Sequence, residues 1–333
     1  MGTKLATLGA AFALTAFSAS IEARATDVAR IGWEMAWPKT DFSKHAVPFD
    51  EIISGGPPKD GIPPIDAPVF AAAGSLTELG EMEPVISVEV EGEHRAYPLR
   101  VLIWHEIIND EVEGVPIAVT YCPLCNSALV FDRRLEGRTH SFGTTGNLRH
   151  SDLLMYDRET ESWWQQFIGE AIVGTLTGAR LSVLPSRTES FALFKARAGA
   201  DARVLIPNNP EARAYGRNPY VRYDTSDTPF LYRGALPSGH RPLAHVVVVG
   251  GEAWSLDALR RAGTIAHGDL ILTWAPGQTS ALDAAAIGEG RDIGNVTVQR
   301  ASGDGPRDVP HMVSFAFAFR AFHPDGPIHG LEP

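Results

Sequence analysis

Cysteine is scarce in this chain, with two in 333 residues, Cys122 and Cys125. Disulfide-stapled scaffolds are small and cysteine-dense, so a chain of this size with one possible pair must be held together by its core. Basic charge is short as well: 29 Lys and Arg against 40 Asp and Glu give a net charge of −11. Nucleic acids and anionic bilayers are bound through basic patches, and neither is an expected partner. Long apolar runs are missing too. The run from Leu5 to Phe17 falls short of the roughly 20 residues that span a bilayer. There is no phosphate-binding loop, dinucleotide fingerprint or G-x-S-x-G elbow. His105-Glu106 is followed by Ile107-Ile108-Asn109, without the second histidine that a zinc protease needs.

The amino terminus carries a pattern of its own. Lys4, the apolar run and Ala23-Arg24-Ala25 match the charged, apolar and small-x-small parts of a secretory signal over residues 1–25, with an uncleaved anchor as the alternative. The expected product is a soluble periplasmic or secreted protein with no membrane insertion after cleavage. Removing Lys4, Glu22 and Arg24 with that segment leaves 27 basic and 39 acidic side chains on 308 residues, a net charge of −12. That length can bury one large core or two smaller ones.

Residues 26–79 read as an arm with Trp33 and Trp37, followed by a Pro/Gly-rich loop from Gly55 to Asp66. Gly and Pro at this density forbid helix and central strand. Ile62, Ile65, Val69 and Phe70 favour a loop docked on the core. Val85 to Val90 alternates and breaks at Gly92, and the pattern resumes from His94 to Leu99, as in a β-hairpin. Val101 to Asn109 fits either a short helix or a buried strand. Strand patterns continue to residue 185, residues 186–239 form an irregular connecting segment, and β patterning returns over 240–333.

Two stretches in these halves echo each other. Ala96-Tyr97-Pro98-Leu99 matches Ala253-Trp254-Ser255-Leu256, and Val119 to Leu129 lines up with Leu272 to Leu282. The alternatives are a degenerate duplication and a chance match of common residues. The expected fold is α+β and β-rich: two related units, the first over 80–185 and the second over 240–333. In the second, Ala275 and Gln278 stand where the first has Cys122 and Cys125.

The chemistry concentrates at Cys122-Pro123-Leu124-Cys125. Two thiols at this spacing can share a soft metal, cycle as a dithiol/disulfide pair, or close a structural disulfide. Sulfur ligands suit Cu(I) and Zn(II). A fuller ligand set draws on histidine, with His105 as third ligand and His150 as fourth. The absence of an evident helix after the pair weakens the redox reading. Gly143, Thr145 and Asn147 belong to a Gly-punctuated loop that could admit a substrate or only turn the chain. The reading is an exported protein with a Cu(I) or Zn(II) site, whose partner is a metal ion or small molecule. The alternatives are a periplasmic thiol-disulfide protein and a non-enzymatic binding protein with a structural disulfide.

Longer motifs add a resemblance. Gly55-Gly56-Pro57-Pro58-Lys59-Asp60-Gly61-Ile62-Pro63, Arg95-Ala96-Tyr97-Pro98-Leu99, His105-Glu106-Ile107-Ile108-Asn109-Asp110, Tyr121-Cys122-Pro123-Leu124-Cys125 and Ser151-Asp152-Leu153-Leu154-Met155-Tyr156-Asp157-Arg158 resemble the exported proteins of domain-of-unknown-function family 3179. The resemblance implies that the His-Glu and Cys-Pro-x-Cys stretches are family hallmarks, and it implies no activity. A fainter likeness links the cysteine turn and Thr145-Gly146 to alkylmercury lyase and the related copper-chaperone fold; no third cysteine matches the lyase's set.

Overall fold

The computed structural model describes residues 32–331 except Ser238 and Asp304, so the signal reading of residues 1–25 lies outside the described residues. The chain forms a five-bladed β-propeller. Blades are numbered here by where their central strands begin in the chain. Blade I joins Val69–Ala72, Pro84–Val90, Glu93–Pro98, Ser186–Ser190 and Arg203–Ile206. Blade II holds Ile107–Val112, Val115–Cys122, Ser127–Asp132 and Ser182–Leu184; blade III holds Ile52–Ser54, Phe142–Arg149, Asp152–Asp157, Trp163–Gln165 and Glu170–Val173. Blade IV comprises His245–Val249, Glu252–Ser255, Met312–Phe315 and Ile328–His329, and blade V comprises Thr264–His267, Leu270–Ala275, Asn295–Arg300 and Arg307–Asp308.

Local chemistry accounts for the elements. The hairpin read around Gly92 pairs Pro84–Val90 with Glu93–Pro98. Pro98 precedes the helix Leu99–His105, where its missing N–H costs no helical bond. That helix ends on Glu106 at φ 58°, and the strand Ile107–Val112 follows at once. The ambiguous stretch is therefore helix and then strand, with Glu106 as the hinge between them. Ser190 and Ser255 cap the helices Phe191–Ala198 and Leu256–Ala262 through their side-chain oxygens, satisfying amide groups that lack an intrahelical partner.

The α+β arrangement of two duplicated units is overturned by the five sheets. A sheet apolar on both faces needs a cover on each, and here blades supply that cover for one another. The sequence echo marks a local event: Leu99 and Leu256 each open a seven-residue helix directly after a strand. The second pair of stretches then diverges. Cys122 lies opposite Ser127 across a tight turn, whereas Ala275 ends its strand and the chain crosses residues 276–294 before the next strand begins at Asn295. Ala275 and Gln278 thus do not rebuild the cysteine turn.

The arm and the Pro/Gly loop are both docked. Ile65 exchanges backbone bonds with blade II, its N–H donating to Ile107 O at 3.0 Å and its carbonyl accepting from Asn109 N at 2.9 Å. Trp33, Trp37 and Phe42 set their rings edge-on to fully buried Trp163, at 5.1, 5.2 and 5.5 Å. Among the described residues, no helix is long and apolar enough to cross a membrane. Trp163→Ala is expected to cost about 3–5 kcal/mol in urea unfolding, since it empties a packed aromatic cluster. A loss below about 1 kcal/mol would show that the arm does not pack there.

Candidate functional site

Strand ends of blades II and III meet at the cysteine pair. Cys122 is the last residue of Val115–Cys122, and Cys125 lies in the turn, which Asn126 leaves at φ 50°. Asparagine tolerates the left-handed region better than most residues. Asn126 N–H donates to Pro123 O at 3.2 Å and closes the bend. From blade III comes Asp152, the first residue of its strand, preceded by His150 and Ser151 at φ 54° and 69°. Adjacent residues in this region cost of order 1–3 kcal/mol each and persist only where the surroundings enforce them.

Cys122 and Cys125 lie 4.2 Å apart and are not bonded. Their sulfurs and a carboxylate oxygen of Asp152 all lie within 4.8 Å of one another, and all three residues are buried. Asp152 accepts from Gln165 Nε2 at 2.7 Å and from Phe167 N–H at 2.9 Å, which fixes the carboxylate beneath the thiols. Cys125 O accepts from Ser314 Oγ at 2.8 Å and Phe315 N–H at 3.2 Å, tying the turn to blade IV.

A cavity of about 110 Å³ opens onto Cys122 and is lined also by Glu106, Thr144, Asn147, Tyr220 and Phe230. Glu106 reaches it because its hinge backbone turns it away from the preceding helix. Among the described residues, no hydrogen bond holds its carboxyl. Burial, reinforced by the charge of Asp152, pushes the Glu106 carboxyl up to about 8. Burial also lifts Asp152 to about 6, against the pull of Gln165 and Phe167, and raises both thiols, Cys125 the further. None of the groups acting most strongly on these four acids is cationic. Buried acids sharing one region disfavour their charged forms, so protons or a metal cation are what would neutralise them.

A strap from the segment after blade I closes the cavity. Tyr223 OH donates to Leu124 O at 2.9 Å and accepts from Phe230 N–H at 3.2 Å, while Ser151 Oγ donates to Phe230 O at 2.6 Å. One strap thereby touches both the cysteine turn and the strained approach to Asp152.

The anticipated site residues divide. Cys122 and Cys125 come together, and the histidines are engaged elsewhere. His105 has both ring nitrogens satisfied: Nδ1 contacts Pro63 O at 2.7 Å and Nε2 contacts Tyr215 OH at 2.7 Å. A carbonyl only accepts, so Nδ1 carries the proton and Nε2 accepts from the tyrosine. His150 Nε2 lies 3.5 Å from Glu51 Oε2. Asn147 lines the cavity. Thr145 Oγ1 instead donates to Leu154 O at 2.7 Å, and Gly143 leaves room for Asp60 and the Tyr156 ring. Thr144 and Gly146 are the neighbours that face the cavity. Asp152 and Glu106 lie outside the ligand set that ligand chemistry selects from the sequence, although both sit in the family motifs. The signal for them is a carboxylate one residue after His105 and another two residues after His150.

A family model described as "Protein of unknown function (DUF3179)" matches residues 59–326. The chain belongs to the DUF3179 family. That match takes in Glu106, Cys122, Cys125 and Asp152, and the Pro/Gly loop from Lys59 onwards. No curated protein and no solved structure matches the chain, and the likeness to alkylmercury lyase gains no support. For this DUF3179 member, Glu106 makes a pH-dependent contribution. The folded chain retains a proton on Glu106 between pH 4.5 and about 8 that the unfolded chain has released, so stability falls as pH rises through that window, by up to about 1.4 kcal/mol per pH unit. In metal-free protein, Glu106→Gln is expected to flatten the slope and to exceed wild-type stability above pH 8, the two converging towards pH 4.5. Urea midpoints across pH check this; parallel curves would contradict a buried protonated Glu106.

Proposed function

We propose that this protein binds a single thiophilic metal ion through Cys122, Cys125 and Asp152, with one coordination position facing the cavity. The observation that carries the reading is the convergence of two thiols and a carboxylate within 4.8 Å in a buried setting. The distances fit: two metal–sulfur bonds of about 2.3 Å span up to about 4.6 Å, against the 4.2 Å between the cysteines. Sulfur alone favours Cu(I) before Zn(II). The Asp152 oxygen moves the preference to Zn(II), which accepts mixed sulfur and oxygen donors. Three protein ligands with an open fourth position is the pattern of zinc sites that act on a small molecule. Glu106, beside that opening, is placed to hold or accept a proton. The partner is accordingly a metal ion together with a small molecule of a size the cavity admits, and the compartment proposed is the periplasm or the exterior.

A second reading rests on the spacing of the same two sulfurs. From 4.2 Å apart, side-chain rotation and a small backbone adjustment would bring them to the roughly 2.05 Å of a disulfide, and an oxidising compartment favours that product when no metal is present.

Protein purified without oxygen is expected to carry at least one zinc per chain by elemental analysis, with both thiols titratable once the metal is chelated. Cys122→Ser should weaken zinc binding by roughly 100-fold or more and Asp152→Asn by roughly 10–100-fold, magnitudes typical of removing groups that hold or support a metal. Absence of metal together with absence of free thiol would establish the disulfide instead.

A further inference from the structure

A second constellation lies far along the chain from the cysteines, where blades IV and V meet. Glu252 opens the strand Glu252–Ser255, and Trp254 two residues on shares its face. The strand Ile328–His329 pairs with it in parallel, placing His329 beside Trp254. His267 ends the strand Thr264–His267 of blade V, ahead of the turn at Gly268. Register and turn together bring three donors to one point. His329 Nε2 lies 2.8 Å and His267 Nε2 3.5 Å from the same carboxylate oxygen, Glu252 Oε2. All three ligand atoms lie within 4.8 Å of one another.

A single histidine bonded to a glutamate is an ordinary surface pair. Here two imidazoles present the same nitrogen to one oxygen, while buried Trp254 packs on both rings, at 5.0 Å from His329 and 5.4 Å from His267. Indole packing restrains both rings and lowers the entropy that binding must overcome. The other histidine cluster, His140 with Asp157 and Glu159, differs: Asp157 already accepts from Thr160 and from Trp164 Nε1. Glu252 has no such competing donors among the described residues beyond the two histidines.

We propose that Glu252, His267 and His329 form a second metal site for a divalent transition ion of the zinc class. Imidazole and carboxylate donors suit Zn(II), Ni(II) and Cu(II). Two metal–nitrogen or metal–oxygen bonds of about 2.0–2.1 Å span up to about 4.2 Å, so both histidine–carboxylate separations fit as they stand. His267 is the most exposed of the three side chains, at 47%, and leaves open positions on the solvent side. The ion would join Glu252 and His329 of blade IV to His267 of blade V. Nothing in this proposal depends on the cysteine site.

The test uses the full chain carrying Cys122→Ser and Cys125→Ser, so that sulfur contributes nothing, with Zn²⁺ titrated by calorimetry. One ion per chain is expected, with affinity falling at least tenfold when His267→Ala and His329→Ala are added and the circular dichroism unchanged. Absence of binding, or equal affinity with the histidines removed, would overturn the proposal. Cu²⁺ supplies a second readout: its quenching of tryptophan emission should shrink markedly in Trp254→Phe on the same background, and quenching equal in both would count against the site. The cysteine site is read separately, as the difference between wild type and the cysteine-free chain.

Discussion

Asp152 is the constraint on which the centre depends. A carboxylate with no solvent exposure is held in place by Gln165 and the Phe167 amide, directly against two thiols. Burying such a group is expensive unless its charge is shared or neutralised. Everything around it serves one of those ends. Blade III fixes the carboxylate, blade II presents the sulfurs, and blade IV anchors the cysteine turn through Ser314 and Phe315. In a propeller, strand ends from separate sheets converge, so a site can collect ligands that lie far apart in the chain.

The backbone around the centre carries strain that the packing must offset. Glu106, Asn126, His150 and Ser151 all adopt positive φ, and each borders the cysteines, the cavity or Asp152. Left-handed non-glycine residues cluster where a side chain has to be aimed against local preference. For Glu106 the consequence is direct: the hinge ends a helix and delivers a carboxyl to the cavity beside Cys122. For His150 and Ser151, two such residues in succession redirect the chain so that Asp152 starts its strand facing the sulfurs.

The sequence made some of this legible. The Gly92 hairpin, the docking of the Pro/Gly loop and the closeness of Cys122 and Cys125 could all be read from pattern and spacing. These are local properties, fixed by period-two alternation and by turn chemistry. The arrangement of sheets was not legible, because nothing in a four-strand pattern says which other sheet covers its faces. The echo between Ala96–Leu99 and Ala253–Leu256 reflects a shared strand-to-helix junction and not a duplicated pair of units. The histidines drew attention for their ligand chemistry, yet His105 is committed to Pro63 and Tyr215. Glu106 lines the cavity and Asp152 meets the thiols, a placement hidden in the sequence because an acidic residue appears on paper as a surface charge until the fold buries it.

X-ray absorption at the zinc edge, on protein loaded with one equivalent of zinc, tests the central claim most directly. The account predicts two sulfur scatterers at about 2.3 Å and one or two oxygen scatterers at about 2.0–2.2 Å, with the sulfur shell lost in the double cysteine-to-serine chain. A first shell of nitrogen and oxygen alone in the wild-type protein would contradict it.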